Sequence, residues 1–86
     1  MDRIRKKIDR LDEQIVRLLD ERMGLAYELG KIKKDLERGV FDASREEEVI
    51  TKLKALPKEC IRDDEVKELY ELIIRISREH GKRGLS

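Results

Sequence analysis

The first third of the chain carries a heptad seam that indicates a single long helix. Its apolar residues are separated by alternating steps of four and three positions, which is the spacing of a helix that buries one continuous stripe. The stripe extends from about position 2 to position 36, and the segment RGVFD interrupts it at Gly39. At 1.5 Å per residue, the predicted helix is roughly 50 Å long. Its apolar positions are Ile4, Ile8, Leu11, Ile15, Leu18, Leu25, Leu29, Ile32 and Leu36.

A second, shorter helix is predicted over residues 44–56. Ser44 and Glu47 have the spacing of a capping box, and apolar residues follow them at helical intervals. Pro57 ends this helix because proline cannot continue the backbone hydrogen bonding.

A third helix of medium length is predicted over residues 63–80. Asp63 or Asp64 can cap its N-terminus, and Gly81 is predicted to close it. Its inward face is expected to hold Val66, Leu69, Tyr70, Ile73, Ile76 and Ser77.

The length of the chain favours assembly with a second copy. With 86 residues, it forms one domain (1–86), and a domain of this size buries only about 60% of its unfolded surface. The two shorter helices together roughly match the long one, yet part of the long seam stays uncovered. We therefore predict an all-α, intertwined homodimer, a six-helix bundle with antiparallel long helices.

Composition excludes several classes of function. Lys and Arg total 21 against 20 Asp and Glu, so no broad basic field favours nucleic acid or an anionic membrane. One cysteine, Cys60, and one histidine, His80, are too few for a Cys/His zinc site, and no metal or cofactor is expected. The lone cysteine fits a reducing cytoplasm, and no apolar run reaches the ~18 residues of a membrane span.

Charged side chains lie within the apolar stripe of the long helix. The seam position between Leu18 and Leu25 is held by Arg22, and Lys33 lies about 20° from it around the helix axis, three turns further on. Arg45 lies on the face of the second helix that carries its apolar residues, four residues apart along the chain, and Glu46 lies on the adjacent face. Three cations and a carboxylate are thus predicted to face inward.

Two interpretations of these charges differ in their consequences. A single seam arginine can simply reach the surface, pair with a glutamate or set the register of a coiled coil. Burying several like charges together lowers stability by roughly several kcal/mol per charge unless a bound anion compensates them. A small ligand with more than one carboxylate is the natural counterpart, because guanidinium groups bind carboxylates in bidentate fashion.

The order of short motifs along the chain resembles the all-α chorismate mutase family. The motifs are IRKKID, LLDER, GKIKK, FDASRE and LIIRIS, and the resemblance covers residues from about Ile4 to His80. It implies conversion of chorismate to prephenate in the biosynthesis of phenylalanine and tyrosine. The reaction is an intramolecular rearrangement that breaks a C–O bond, forms a C–C bond and uses neither metal nor cofactor.

The resemblance also implies roles for residues of the long helix. Arg22 and Lys33 match the pair that grips the substrate's carboxylates, and the lysine also reaches its ether oxygen. Arg5 matches an arginine contributed to the partner subunit's site. Arg5 lies about 25 Å of helix from Arg22, too far for one small ligand to touch both in one chain.

Further roles follow for the other two helices. Asp42, Arg45 and Glu46 match an element in which the backbone near the aspartate and the glutamate carboxylate meet the substrate's ring hydroxyl. Ser77 matches a small polar residue that meets a carboxylate. The family usually has glutamine or glutamate one turn later, where this chain has Gly81, so His80 or the C-terminal tail would have to substitute for it.

The residues alone leave two alternatives to this enzyme. One is a non-enzymatic dimeric helical module whose seam arginine specifies register. The other is a helical domain that binds a different dicarboxylate.

Overall fold

The described part of the chain folds into three helices, as the computed structural model shows. It describes residues 2–35 and 42–85, and for residues 33–35 the backbone alone. These residues form α1 (Asp2–Asp35), α2 (Ala43–Lys54) and α3 (Asp63–Leu85), and no strand occurs among them. The predicted all-α class, with one long, one short and one medium helix, is confirmed.

The long helix determines the shape of the chain. The 34 residues of α1 correspond to about 51 Å of helix, and the longest dimension of the chain is 52 Å. The predicted end of this helix, at Leu36 and Gly39, lies outside the described residues.

Helix α2 begins earlier than the sequence analysis predicts, and a different residue caps it. Asp42 is the N-cap, with extended backbone angles (φ −137°, ψ 99°), and its side chain accepts a hydrogen bond of 3.1 Å from the backbone N–H of Arg45. The capping box predicted at Ser44 and Glu47 is therefore wrong, because the helix already begins at Ala43 and Ser44 lies inside it. A carboxylate at the N-cap satisfies an N–H that has no partner within the helix.

Helix α3 is capped by the residue before the two aspartates. The backbone N–H of Arg62 donates to the Glu65 carboxylate at 3.0 Å, and the N–H of Val66 donates to the Arg62 carbonyl at 2.9 Å. Arg62 thus holds the N-cap position, and neither Asp63 nor Asp64 is the cap. Both aspartates lie in the first turn, where the helix dipole favours negative charge.

Helix α3 does not end at residue 80. It continues through Gly81 and Gly84 to Leu85, and both glycines are buried. A Cβ atom added to Gly30 would overlap the carbonyl oxygen of Gly81, and one added to Gly84 would overlap the carbonyl oxygen of Tyr27. The prediction that Gly81 closes the helix is wrong because close packing against α1 outweighs the low helix propensity of glycine.

Helix α3 is the centre of the chain and contacts both other helices. Among the described residues the buried hydrophobic side chains are Val66, Ile73 and Ile74, all on α3. From Arg22 to Gly30 along α1, the contacted residue of α3 changes from Ser77 to Gly81. The residue numbers rise together, so the C-terminal half of α1 runs parallel to α3.

The N-terminal half of α1 leaves its seam uncovered within one chain. Its apolar side chains keep half or more of their surface in solvent, at Ile4 (61%), Ile8 (50%), Leu11 (55%), Ile15 (51%) and Leu18 (65%). Such a long apolar stripe is typical of a surface that another polypeptide covers. None of the described helices is long and apolar enough to cross a membrane.

Candidate functional site

A cavity of about 320 Å³ opens where α1, α2 and α3 converge. One part of its lining is apolar, and the other consists of charged and hydroxyl groups. Its volume lies at the lower end of the range usual for small-molecule sites. The lining residues are Arg22, Leu25, Ala26, Leu29, Arg45, Glu46, Val49, Ile74, Ser77 and Arg78.

Arg22, the charge in the seam of α1, faces α3. Its guanidinium donates a short hydrogen bond to the hydroxyl of Ser77 and lies over the ring of Tyr70, with Cζ 5.9 Å from the ring centroid. The Ser77 hydroxyl in turn donates to the carbonyl of Ile73 at 2.8 Å. These contacts fix the guanidinium at the cavity wall, and among the described residues no acidic side chain forms an ion pair with it.

Helix α2 supplies the opposite wall through Arg45 and Glu46. The Arg45 guanidinium donates to Glu48 at 3.1 Å, outside the cavity, and Lys52 pairs with the same carboxylate at 2.9 Å. The hydrogen bond and charge of Lys52, followed by the charge of Arg45, hold the pKa of Glu48 below its usual value. Arg45 is therefore directed partly towards the exposed surface.

Arg78, which is not among the site residues predicted from the sequence, lies beside Ser77 on α3. Its Nε donates to Oε2 of Glu46 at 2.9 Å, and its terminal nitrogen donates to Oε1 of the same carboxylate in a short contact. Glu46 raises the pKa of Arg78 above its usual value through this hydrogen bond. One sequence signal could have identified Arg78. It follows the apolar Ile74 by four residues, which places both on the same face of the third helix.

The described lining of the cavity has an excess of positive charge. Three guanidinium groups, those of Arg22, Arg45 and Arg78, face one carboxylate, that of Glu46. A cationic pocket with an apolar floor suits a compact apolar body that carries more than one carboxylate.

Four of the predicted site residues line this one cavity: Arg22, Arg45, Glu46 and Ser77. Asp42 has a defined role as the N-cap of α2. Arg5 is exposed on the N-terminal half of α1, about 25 Å of helix from Arg22. The backbone of Lys33 is part of α1, but its side chain lies outside the described residues.

Comparisons with known proteins identify relatives of this chain. The family model of chorismate mutase type II matches residues 4–82. A chorismate mutase of Methanocaldococcus jannaschii is 34% identical over 80 residues, which cover 92% of this chain and 77% of that protein. A crystal structure of chorismate mutase from Helicobacter pylori in complex with prephenate superposes with a TM-score of 0.89 at 26% identity, covering 98% of this chain and 91% of that one.

Some relatives are much longer proteins. A bifunctional chorismate mutase/prephenate dehydratase of Aquifex aeolicus is 45% identical over 56 residues, which cover 65% of this chain. The matched region is 16% of the length of that protein. The similarity to this relative is therefore limited to a small part of it.

Proposed function

This chain belongs to the type II chorismate mutase family, and from that premise we propose that its cavity binds chorismate and rearranges it to prephenate. The product would enter the biosynthesis of phenylalanine and tyrosine. The proposal assigns the activity to the one helical domain of residues 1–86, in the cytoplasm.

The observation that carries the proposal is the placement of Arg22. A guanidinium in a heptad seam normally weakens helix packing, and here Ser77 and Tyr70 hold it at the wall of a small cavity. A second guanidinium, that of Arg45, lines the same cavity, whereas that of Arg78 is paired with Glu46. Chorismate is a dianion, so it matches the surplus of cations that the described lining leaves.

The proposed catalysis needs no covalent intermediate. A flexible dianion held at both carboxylates is restricted to the compact conformer in which the new C–C bond can form. Negative charge grows on the ether oxygen as the C–O bond breaks, and a preorganised cationic donor stabilises it. We assign Arg22 and Ser77 to the carboxylates, Lys33 to the ether oxygen and Glu46 to the ring hydroxyl. Arg45 and the backbone near Asp42 complete the pocket.

We further propose that two chains form an antiparallel homodimer and that each site receives Arg5 from the partner chain. The half-exposed seam from Ile4 to Leu18 supports this, because a second long helix would bury it. The distance from Arg5 to Arg22 supports it as well, since one small ligand reaches both only when they come from different chains.

The direct test of function is to incubate the protein with chorismate and follow the loss of its ultraviolet absorbance. Conversion to prephenate is expected, and addition of prephenate should raise the melting temperature because ligand binding stabilises the folded state. A melting temperature unchanged by either compound, with no turnover, would favour a helical interaction module. Stabilisation by another dicarboxylate without turnover would favour a different ligand.

The shared site can be tested by mixing two inactive variants. In a heterodimer of Arg5→Ala and Arg22→Ala chains, one of the two sites regains both arginines, and random exchange would restore about a quarter of the parental sites. Activity should therefore appear after the two variants are mixed and subunits have exchanged. A mixture that stays inactive, although light scattering shows heterodimers, would mean that Arg5 does not act across the interface.

A further inference from the structure

Glu46 is held by a two-point contact from the neighbouring helix. Arg78 of α3 donates to both carboxylate oxygens of Glu46 on α2, from Nε and from a terminal nitrogen. The side chains of Arg78 and Glu46 are 37% and 20% exposed, respectively, so the pair is partly shielded from water. A guanidinium fork aligned with a carboxylate fixes its plane as well as its position, which a single hydrogen bond does not.

The pair lies on the boundary between two cavities. Arg78 and Glu46 line the cavity described above, and they also line a second cavity, of about 650 Å³, between α2 and α3. The pair therefore forms part of the wall that separates the two spaces. Without Arg78, the Glu46 side chain could turn into the second space.

Helix α2 has few other means of fixing this side chain. It is 12 residues long, and none of its residues is buried. The register of α2 against α3 is consequently set by half-buried contacts, and the Glu46–Arg78 pair is a specific polar contact between these helices.

Pairing with Arg78 leaves Glu46 able to bind a ligand. Each carboxylate oxygen has two lone pairs, so after it accepts one hydrogen bond from Arg78 it can accept another from a hydroxyl group in the cavity. The pair also keeps a charged carboxylate at a wall that otherwise carries cations, and the pKa of Arg78 is raised, so its charge is retained.

We infer that Arg78 is a positioning residue that holds the Glu46 carboxylate at the cavity wall, oriented to accept a hydrogen bond from the ring hydroxyl of the substrate. The inference rests on the proposed function. It concerns a residue for which the family resemblance implies no role, and it assigns to Arg78 an indirect effect, exerted through Glu46.

Steady-state kinetics of Arg78→Gln, Glu46→Gln and the double variant test this role. Arg78→Gln should lower kcat/KM by roughly 10- to 100-fold, because a misplaced group near the reacting atoms costs about that much. Arg78→Lys keeps the charge but not the fork, and should retain an intermediate rate. In the Glu46→Gln background the same change at Arg78 should have little further effect, since the two residues act as a unit.

Arg75→Gln is the matched control. Arg75 lies on the same helix and, of these two cavities, lines the second but not the first. Its substitution therefore removes the same positive charge as Arg78→Gln but leaves the hydrogen bonds to Glu46 in place. This variant should keep the parental kcat/KM.

A substrate analogue that lacks the ring hydroxyl separates positioning from a general structural effect. The rate with this analogue should be insensitive to Arg78→Gln, because Glu46 has no hydroxyl to meet. Equal losses with both substrates, or an undiminished loss in the Glu46→Gln background, would overturn the inference, as would a folded Arg78→Gln protein with the parental rate. A parent protein that does not convert chorismate would refute the proposed function itself, and this role with it.

Discussion

Gly30 of α1 and Gly81 of α3 lie back to back where the backbones of the two helices pack directly against each other. A Cβ atom on Gly30 would overlap the carbonyl oxygen of Gly81. Gly84 makes the same kind of approach to the backbone of Tyr27 one turn later. Backbone atoms cannot move aside as the end of a flexible side chain can, so the small size of these residues sets the spacing between α1 and α3.

The first prediction compares two glycines of the same helix. Gly30→Ala should destabilise the protein by about 1–3 kcal/mol, because the added methyl group forces two packed helices apart. Gly24→Ala should stabilise it by about 1 kcal/mol, because no atom of the described residues lies within 4 Å of the added carbon and alanine favours the helix. Chemical denaturation at one fixed protein concentration measures both. Equal effects of the two substitutions would mean that close packing at Gly30 is not what stabilises this crossing.

The second prediction concerns Gly81, the position at which the family resemblance implies glutamine or glutamate. Gly81 is buried against α1, so Gly81→Gln should lower the melting temperature and should not raise the rate. Gly81 is buried, so a long side chain added there has to displace its neighbours, which costs about 1–3 kcal/mol by overpacking. A stable Gly81→Gln protein with faster turnover would show that α3 can shift to accept the side chain, contrary to the structure.

The third prediction concerns Lys33. Lys33→Ala should reduce the rate by roughly 100- to 1,000-fold, the usual effect of removing one preorganised donor to a developing negative charge, while the protein stays folded. Lys31→Ala is a suitable control, since Lys31 is exposed and lies over the Tyr27 ring at 5.1 Å. Circular dichroism and chorismate turnover are measured on both variants. A Lys33→Ala protein as fast as the parent would remove Lys33 from the mechanism.

The fourth prediction concerns the connection between α2 and α3. Lys58 is only 15% exposed; its ammonium donates to the carbonyls of Lys54 and Leu56 and pairs with Asp63 in the first turn of α3. Lys58→Met keeps the apolar stem and leaves these carbonyls unpaired, so a loss of about 1–2 kcal/mol of stability is expected. Lys52→Met removes an exposed ion pair instead and should change stability by less than about 1 kcal/mol. Both values come from urea denaturation; a smaller loss for Lys58→Met than for Lys52→Met would contradict the assigned role.

The helical class and the outline of the site could be predicted from the residues alone. Heptad spacing determines which face of a helix is apolar, and therefore which face Arg22 shares, before any packing is known. The same reasoning placed Arg45 and Glu46 beside the apolar face of α2, and all three line one cavity. Local patterns report such features because side chains three and four residues apart are neighbours on any α-helix.

The ends of the helices were predicted less well, since several residues compete for each cap. Asp42 and Ser44 are both good N-cap residues, and the choice of Asp42 follows from where the backbone turns rather than from side-chain preference. Gly81 is a common helix end in isolation. Its burial against Gly30 depends on a residue 51 positions away in the sequence.

By itself, then, the sequence determined that this protein is made of helices, that its longest helix has a seam one chain cannot cover, and that this seam contains an arginine. Only the tertiary structure decided that α3 lies between α1 and α2, that Arg22 meets Ser77 and that Arg78 holds Glu46. The physical reason is separation along the chain. Periodicity is a property of residues that are close in sequence, whereas a cavity is formed by side chains that are far apart in sequence.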